Sequence, residues 1–304
     1  MKEEKVMVTK KNVLKENSEE FRNRVLYITK DNDFVRSVYY AVGPDKKPYS
    51  FVLSLGQFRF INYLISHVKP GDTDFKEETI SYKDYFRITG LKDGGKSRSI
   101  IETSILELCN NDFYIKIKDG IKVISWLKSG TFINQKDNTI TVQLDDTLKP
   151  YILNLKKCFT AYMQGFTLDF KSKYSCSIYE YCRSILSQGC IIVNTDKFME
   201  KICGDIYPIM SKFKEKVLYP AVTEINEKSD IQVSLTEIRE HNKTVKIRFD
   251  VEDKSDEAKR EILYTYWGMD RDMLVDGSFD YLFYNNKKGF KGSVFEEDAL
   301  VLPF

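Results

Sequence analysis

Histidine and cysteine are the side chains best suited to catalysis or metal binding, and this chain has few of them. It contains two histidines, His67 and His241, and six cysteines without a Cys-x-x-Cys pair. No H-E-x-x-H motif, His-rich triad or G-x-S-x-G motif accompanies them. We therefore expect no catalytic residue, no metal site and no cofactor. In a reducing compartment the cysteines are predicted to be mostly buried thiols, not a disulfide framework.

One segment matches a nucleotide-binding motif letter for letter. Residues 90–97, GLKDGGKS, fit G-x-x-x-x-G-K-[ST]. Such a loop binds phosphates only where a buried strand leads into it. The preceding residues 80–89, ISYKDYFRIT, are polar and have the pattern of a helix. We favour the turn of a helix-turn-helix here, with a P-loop NTPase that uses Lys96 and Ser97 as the alternative.

The composition describes a folded protein with an uneven distribution of charge. Hydrophobic residues make up 42% and charged residues 30%, which is typical of globular proteins. Residues 251–304 hold 7 Lys and Arg against 12 Asp and Glu, and residues 1–250 hold the other 40 against 33. A basic body suits an anionic partner, although a solvated mixed surface fits the charge equally well. Since neither a membrane span nor a signal peptide is visible, we expect a cytoplasmic protein without a membrane partner.

The first half has the element order of a winged helix-turn-helix domain. Apolar residues at helical spacing from Leu55 to Val68, after Ser54 as a cap, predict the first helix. A short second helix is predicted over 81–86 and a third over 97–110. The Asp119-Gly120 pair between two apolar runs predicts a β-hairpin over 113–126, in the position of the wing.

The second half repeats this order with different residues. A strand over 139–144 and a connecting helix over 148–155 precede predicted helices over 172–186, 195–203, with Thr195 as cap, and 207–228. Two strands follow over 231–235 and 245–251. The predicted fold class is α+β, with two tandem winged helix-turn-helix domains and a short C-terminal appendage. We assign 1–45 to an N-terminal segment that is partly flexible or part of a dimer interface, 46–157 to domain 1, 158–251 to domain 2 and 252–304 to an acidic, aromatic-rich extension.

The predicted third helix of each domain has a polar edge. With a rotation of about 100° per residue, the apolar face of the second of these helices holds Phe213, Val217, Ala221 and Ile225. The opposite face holds Lys212, Lys216, Tyr219 and Thr223. Lysines near a helix N-terminus can reach phosphates and guanine edges in the major groove, whereas the alternative is a solvated face. The analogous set in domain 1 is Lys96, Ser99 and Thr103, with Arg98 nearby.

Two long blocks resemble the Rep initiator proteins of iteron-containing, theta-replicating plasmids. Residues 213–231, FKEKVLYPAVTEINEKSDI, are similar to that family's F-x-x-x-V-L-x-P-A-x-x-E-I-N-x-x-[ST]-D-I block. Residues 172–180, SKYSCSIYE, are similar to its S-K-Y-S-x-x-[IL]-Y-E helix. The turn before the last strand departs from the family's Gly-Arg-x-V and reads HNKTV over 241–245.

The resemblance implies a pair of winged-helix domains that bind successive major grooves of origin repeats in double-stranded DNA. It also implies monomers that start replication, in equilibrium with homodimers that repress their own gene. The partners that it implies are the host replication initiator and the replicative helicase, without DNA cleavage. A winged-helix transcriptional repressor without a replication role is the alternative.

These inferences together give a set of candidate DNA-binding residues. Phosphate contacts are predicted for Lys96, Arg98, Lys173, Lys212, Lys214 and Lys243. Base contacts are predicted for Ser99, Thr103, Ser211, Glu215, Lys216 and Tyr219. Lys214 points nearer the buried side of the helix, so we expect it to reach only the backbone. Glu215 has two interpretations, either as a reader of cytosine N4 or as a carboxylate favoured by the dipole of the first helical turn.

Overall fold

The fold is described from a computed structural model, which covers residues 27–69, 71–241 and 243–267. The first half contains β1 (Tyr27–Asp31), α1 (Asn32–Arg36), β2 (Tyr39–Val42), β3 (Pro48–Phe51), α2 (Leu55–His67), β4 (Glu78–Ser81), α3 (Tyr82–Thr89), α4 (Gly95–Asn110), β5 (Phe113–Ile117), β6 (Gly120–Ile124), β7 (Phe132–Asn134) and β8 (Thr139–Val142). Within the covered ranges, no helix is both long and apolar enough to cross a membrane.

Side-chain caps mark the starts of the first two helices in domain 1. Ser54 and Gln57 form a reciprocal capping box at the start of α2, because each side chain accepts a hydrogen bond from the other's backbone N–H. The Ser81 hydroxyl accepts from the backbone N–H of Asp84 at the start of α3. Both predicted starts are thus confirmed, while α4 begins two residues before the predicted Ser97.

The wing of domain 1 differs from the predicted one. The β5–β6 hairpin forms as the Asp119-Gly120 turn requires, but it joins β2 and β3 in a four-stranded sheet of order β3-β2-β5-β6. A separate sheet of order β4-β8-β7 packs with the three helices, and its β7–β8 hairpin occupies the wing position. The hairpin prediction was right and its assignment as the wing was wrong, because turn residues fix a local hairpin and not the sheet that it enters.

Domain 2 contains the same arrangement of helices and strands. A 3₁₀ turn (Asp146–Leu148) and the short α5 (Lys149–Ile152) lead into it. Its elements are β9 (Phe159–Met163), α6 (Gly165–Leu168), α7 (Lys173–Arg183), β10 (Cys190–Asn194), α8 (Thr195–Cys203), α9 (Met210–Phe213), α10 (Tyr219–Lys228), β11 (Ile231–Glu240), β12 (Lys243–Asp253) and α11 (Asp256–Trp267), with further 3₁₀ turns at Leu186–Gln188 and Gly204–Ile206. The sheet order β10-β12-β11 corresponds to β4-β8-β7 of domain 1. Neither β4 nor β10 was predicted, since four or five residues carry little periodicity.

Three local predictions are corrected. The cap of α8 is Asn194, whose side chain accepts from two backbone N–H groups, while the Thr195 hydroxyl donates to the carbonyls of Thr244 and Val245. The connecting helix is confined to Lys149–Ile152 after the 3₁₀ turn. The third correction concerns both halves: three of the six cysteines, Cys109, Cys158 and Cys190, are exposed, so the expectation of mostly buried thiols was wrong for these.

The described part of the N-terminal segment is built into the fold and joins the two domains. Strand β1 pairs antiparallel with β9, and β2 lies inside the four-stranded sheet. The buried Lys30 ammonium on β1 lies 2.6 Å from the Glu180 carboxylate on α7. At the other end, α11 buries Ile262 and Leu263 against domain 2. Residues 1–26 and 268–304, which hold the rest of the predicted N-terminal segment and extension, lie outside the described residues.

Candidate nucleic-acid interface

The segment that matches the nucleotide-binding motif links two helices of domain 1. Helix α3 ends at Thr89, and Gly90 follows as its left-handed cap with φ of 68°. Gly94 then precedes α4. Because a helix and not a strand leads into the loop, the nest that would bind a nucleotide β-phosphate is not built. The P-loop alternative is therefore wrong, and residues 90–94 are the turn between the second and third helices.

The outward edge of α4 carries most of the residues predicted for domain 1. Lys96, Ser99 and Thr103 are exposed along it. Arg98 is partly covered, since its guanidinium lies 2.8 Å from Asp93 and donates over 2.6 Å to Asn138 in the wing turn. Arg98 therefore ties the third helix to the wing in addition to any contact with a ligand.

The third helix of domain 2 is continuous over 210–228 but contains a π turn. This turn spans Lys214–Leu218, between α9 and α10, and in it the backbone N–H of Tyr219 donates to the carbonyl of Lys214. Residues five apart are about 140° apart on a regular α-helix but stack above one another across a π turn. Pro220 follows directly, and its ring would clash with the carbonyl four residues before it in a regular helix.

The residues predicted on this helix form an exposed edge. Ser211, Lys212, Glu215, Lys216 and Tyr219 are all exposed. Glu215 accepts from Lys216 at 2.8 Å and from Lys212 at 3.1 Å, and these hydrogen bonds lower the pKa of its carboxyl. The helix begins at Met210, so Glu215 stands beyond its first turn. The interpretation of Glu215 as a carboxylate of the first turn is therefore wrong.

A wing residue that was not predicted organises this edge. The Glu237 carboxylate on β11 accepts from Tyr219 at 2.7 Å, from Lys214 at 2.8 Å, from Thr244 at 2.8 Å and from Arg239 at 2.9 Å. Partial burial alone would raise the pKa of this carboxyl, but the four hydrogen-bond donors outweigh it and hold the pKa well below its usual range. Lys214 is only 17% exposed, as its predicted position near the buried side requires. Glu237 lies beyond the predicted strand over 231–235, and an acidic residue at such a position gives no sequence signal for this role.

Lys173 and Lys243 lie at the start of elements outside the third helices. Lys173 opens α7, where it is half-buried and its ammonium lies 5.2 Å from the centre of the Tyr174 ring. Burial lowers the pKa of Lys173. Lys243 is exposed at the first position of β12, beside the turn of the wing.

Neither histidine belongs to a metal centre in the covered ranges, in which no cluster of three or more His, Cys, Asp or Glu side chains could hold an ion. His67 is the last residue of α2, and its Nδ1 lies 2.7 Å from the Glu78 carboxylate. His241 stands in the wing turn of domain 2 with φ of 47°.

Two units of this kind in tandem, each with a polar third-helix edge beside a wing, define the class of tandem winged-helix proteins. The family follows from the sequence. Residues 27–183 match the family described as Initiator Replication protein, WH1, and residues 194–251 match Initiator Rep protein, WH2. These matches span more than half of the chain, which belongs to this family of initiator replication proteins.

Two individual proteins illustrate the similarity. The PI protein of Escherichia coli is 26% identical over 209 residues, which cover 55% of this chain and 66% of that protein. The crystal structure of Pi initiator protein in complex with iteron DNA is similar at a TM-score of 0.60 with 18% identity, covering 76% of this chain and 99% of that one. At this identity the structural likeness supports the fold, and the two winged-helix domains predicted from the sequence are confirmed.

Proposed function

We propose that this protein is a plasmid replication initiator that binds origin repeats, or iterons, in double-stranded DNA sequence-specifically. The observation that carries the proposal is the pair of exposed polar edges, one on α4 and one on the helix over 210–228, in a member of the initiator family. A related initiator has been crystallised with iteron DNA. A third helix with lysines near its start is the element that winged helix-turn-helix proteins insert into the major groove.

The exposed side chains divide into two roles by their chemistry. Lys96, Lys212 and Lys243 would bind phosphates, which gives affinity and a steep dependence on salt. Ser99, Thr103, Lys216 and Tyr219 stand further along the exposed helix edges and would contact base edges. Arg98 donates to Asn138 in the wing turn, and Lys214 donates to Glu237 on the wing strand. Each side chain would bind a phosphate only by sharing its hydrogen bonds with this wing residue or by releasing it.

The wider role follows the family and includes no chemistry by this chain. The protein would act in the cytoplasm without cutting DNA, and would bring the host replication initiator and the replicative helicase to the origin. Monomers would start replication, while homodimers would repress the protein's own gene. These partners and states are proposals that rest on the resemblance of residues 172–180 and 213–231 to the Rep initiators.

Supplying the gene in trans tests initiation against the repressor alternative. A plasmid that carries only the repeats from beside the gene should replicate when the protein is present and be lost without it. A reporter behind the gene's own promoter measures repression in the same cells. Repression without replication would reject the initiator role and leave a winged-helix repressor.

A further inference from the structure

Glu237 joins the two elements that would contact DNA in domain 2. Its Oε1 atom accepts from Lys214 and Tyr219 of the third helix, and its Oε2 atom accepts from Arg239 and Thr244 of the wing. The strands β11 and β12 change register between Ile238 and Arg239, next to Glu237. Such a bulge re-aims neighbouring side chains, here toward the helix.

The π turn brings the helix partners of Glu237 together. In a regular α-helix, side chains five residues apart diverge, and a single carboxylate would not reach both. Here the backbone N–H of Tyr219 donates to the carbonyl of Lys214, and both side chains lie on the side of the helix that faces the wing, where each donates to Glu237. The π turn and the Glu237 carboxylate therefore act together to hold the Lys214 and Tyr219 side chains against the wing.

The hydrogen bond to Glu237 fixes what the Tyr219 hydroxyl can recognise. A carboxylate can only accept, so the Tyr219 hydroxyl must donate its proton to Glu237. The phenol oxygen, on a side chain that is 46% exposed, then has only lone pairs left for a ligand. In the major groove, the base groups that donate are the N6 amine of adenine and the N4 amine of cytosine.

We infer that Tyr219 reads an exocyclic amine of adenine or cytosine, and that Glu237 is the positioning residue that makes the Tyr219 hydroxyl an acceptor. This inference rests on the proposed binding of DNA repeats. Without Glu237, the hydroxyl can rotate and donate to guanine O6 or thymine O4 as well. Tyr219 would then contribute affinity without discriminating among the bases. The chemical class of the group recognised is thus set by a wing residue that touches no base.

Base analogues test this inference on the unaltered protein. In a repeat that the protein binds preferentially, each adenine in turn is replaced by deoxynebularine, which lacks the N6 amine, and each cytosine by an analogue without the N4 amine. We expect at least one position where the wild type loses about tenfold in affinity, which is about 1.4 kcal/mol and falls in the range of a single base contact. At that position Tyr219→Phe should lose nothing further when the amine is removed.

The variants separate positioning from charge. Glu237→Ala, which removes the acceptor of the Tyr219 hydroxyl, should relax the base preference at the same position as Tyr219→Phe. Glu240→Gln, which removes a negative charge from the same strand, should leave the preference intact. If the wild type prefers its repeats over random DNA but loses no affinity when any single amine is removed, the inference is overturned while the proposed function stands. Equal relaxation in Glu240→Gln would overturn it too, whereas a wild type that binds random DNA as tightly as its repeats would reject the proposed function itself.

Discussion

The Tyr179 hydroxyl donates to the Asp230 carboxylate over 2.8 Å, and this hydrogen bond joins the two sequence blocks by which the family is recognised. Both residues are buried, and the other Asp230 oxygen lies 3.2 Å from Arg183. Glu180 of the first block pairs with Lys30 of β1. Tyr179, Glu180 and Asp230, which match fixed letters of the two family patterns, therefore hold helices and domains together. Positions 215, 216 and 219, which would face DNA, match letters that the pattern leaves open.

Replacing Asp230 tests this structural role. Asp230→Ala should lower the free energy of unfolding by about 3 kcal/mol, because the buried Arg183 guanidinium loses its nearer carboxylate and keeps only Asp253 at 3.8 Å. Tyr179→Phe removes one hydrogen bond and should cost about 1 kcal/mol. Urea unfolding measures both values. A change in base preference in either variant, or a larger loss in Tyr179→Phe than in Asp230→Ala, would contradict the structural assignment.

Lys216 and Lys173 separate base recognition from phosphate binding. Lys216→Ala should cost about 1–3 kcal/mol on the cognate repeat and relax one base position, since the exposed ammonium stands at the middle of the helix edge. Lys173→Ala should weaken binding to all sequences alike and reduce the salt slope by about one. Equal losses on cognate and random DNA for both variants would reject this division.

Lys96 distinguishes a helix that binds DNA from a nucleotide site. Lys96→Ala should weaken DNA binding, because the side chain is exposed at the start of α4. Calorimetry should detect no ATP binding to the wild type, since α3 and not a strand leads into residues 90–97. ATP binding that is lost in Lys96→Ala would restore the nucleotide interpretation.

Lys201 should make the contact between the domains depend on pH. This buried ammonium on α8 donates to the Ser37 carbonyl over 2.6 Å, with the Tyr39 ring 5.3 Å away, and burial lowers the pKa of Lys201 to about 7. Glu180 opposes this shift of the pKa and Lys30 adds to it. Since the unfolded side chain titrates near pH 10.4, the unfolded chain binds more protons above the folded pKa, and stability contributed by this group rises with pH by about 1.4 kcal/mol per unit.

The comparison with Lys201→Met isolates this effect from other titrations. Relative to the variant, the wild type should gain free energy of unfolding between about pH 7 and about pH 9. Urea unfolding at both values measures the gain. A difference between the two proteins that stays constant with pH would show that Lys201 does not change its protonation in this range.

The sequence was sufficient to predict the elements with strong periodicity or capping. Ser54 starts α2, the Asp119-Gly120 turn makes a hairpin, and the helix order within each domain is as predicted. The short strands β1 to β4 were not predicted, because four or five residues carry little periodicity. In addition, the partners of β1 and β4, which are β9 and β8, lie far away in the sequence. The position of the true wing, β7–β8, depends on that long-range pairing with β4.

The candidate interface was predicted in composition but not in geometry. A wheel with constant rotation places the exposed edge of the helix over 210–228 correctly for Lys212, Lys216 and Tyr219. Such a helical wheel cannot show the π turn, which Pro220 alone signals in the local sequence. Nor can it show that the Glu237 carboxylate of the wing accepts hydrogen bonds from this turn. The partners of charged side chains depend on tertiary structure, and sequence spacing gives them only within one helix.

The most direct test of the account is a methylation-interference footprint on a single bound repeat, because it reports contacts at guanine N7 in the major groove. The wild type should show two patches of interference about one helical turn apart, one for each winged-helix domain. Thr103→Ala, at a position proposed to contact bases from α4, should weaken one patch and Lys216→Ala the other. A single patch, or the loss of both patches together in either variant, would contradict the claim that each domain places its own third helix in a groove.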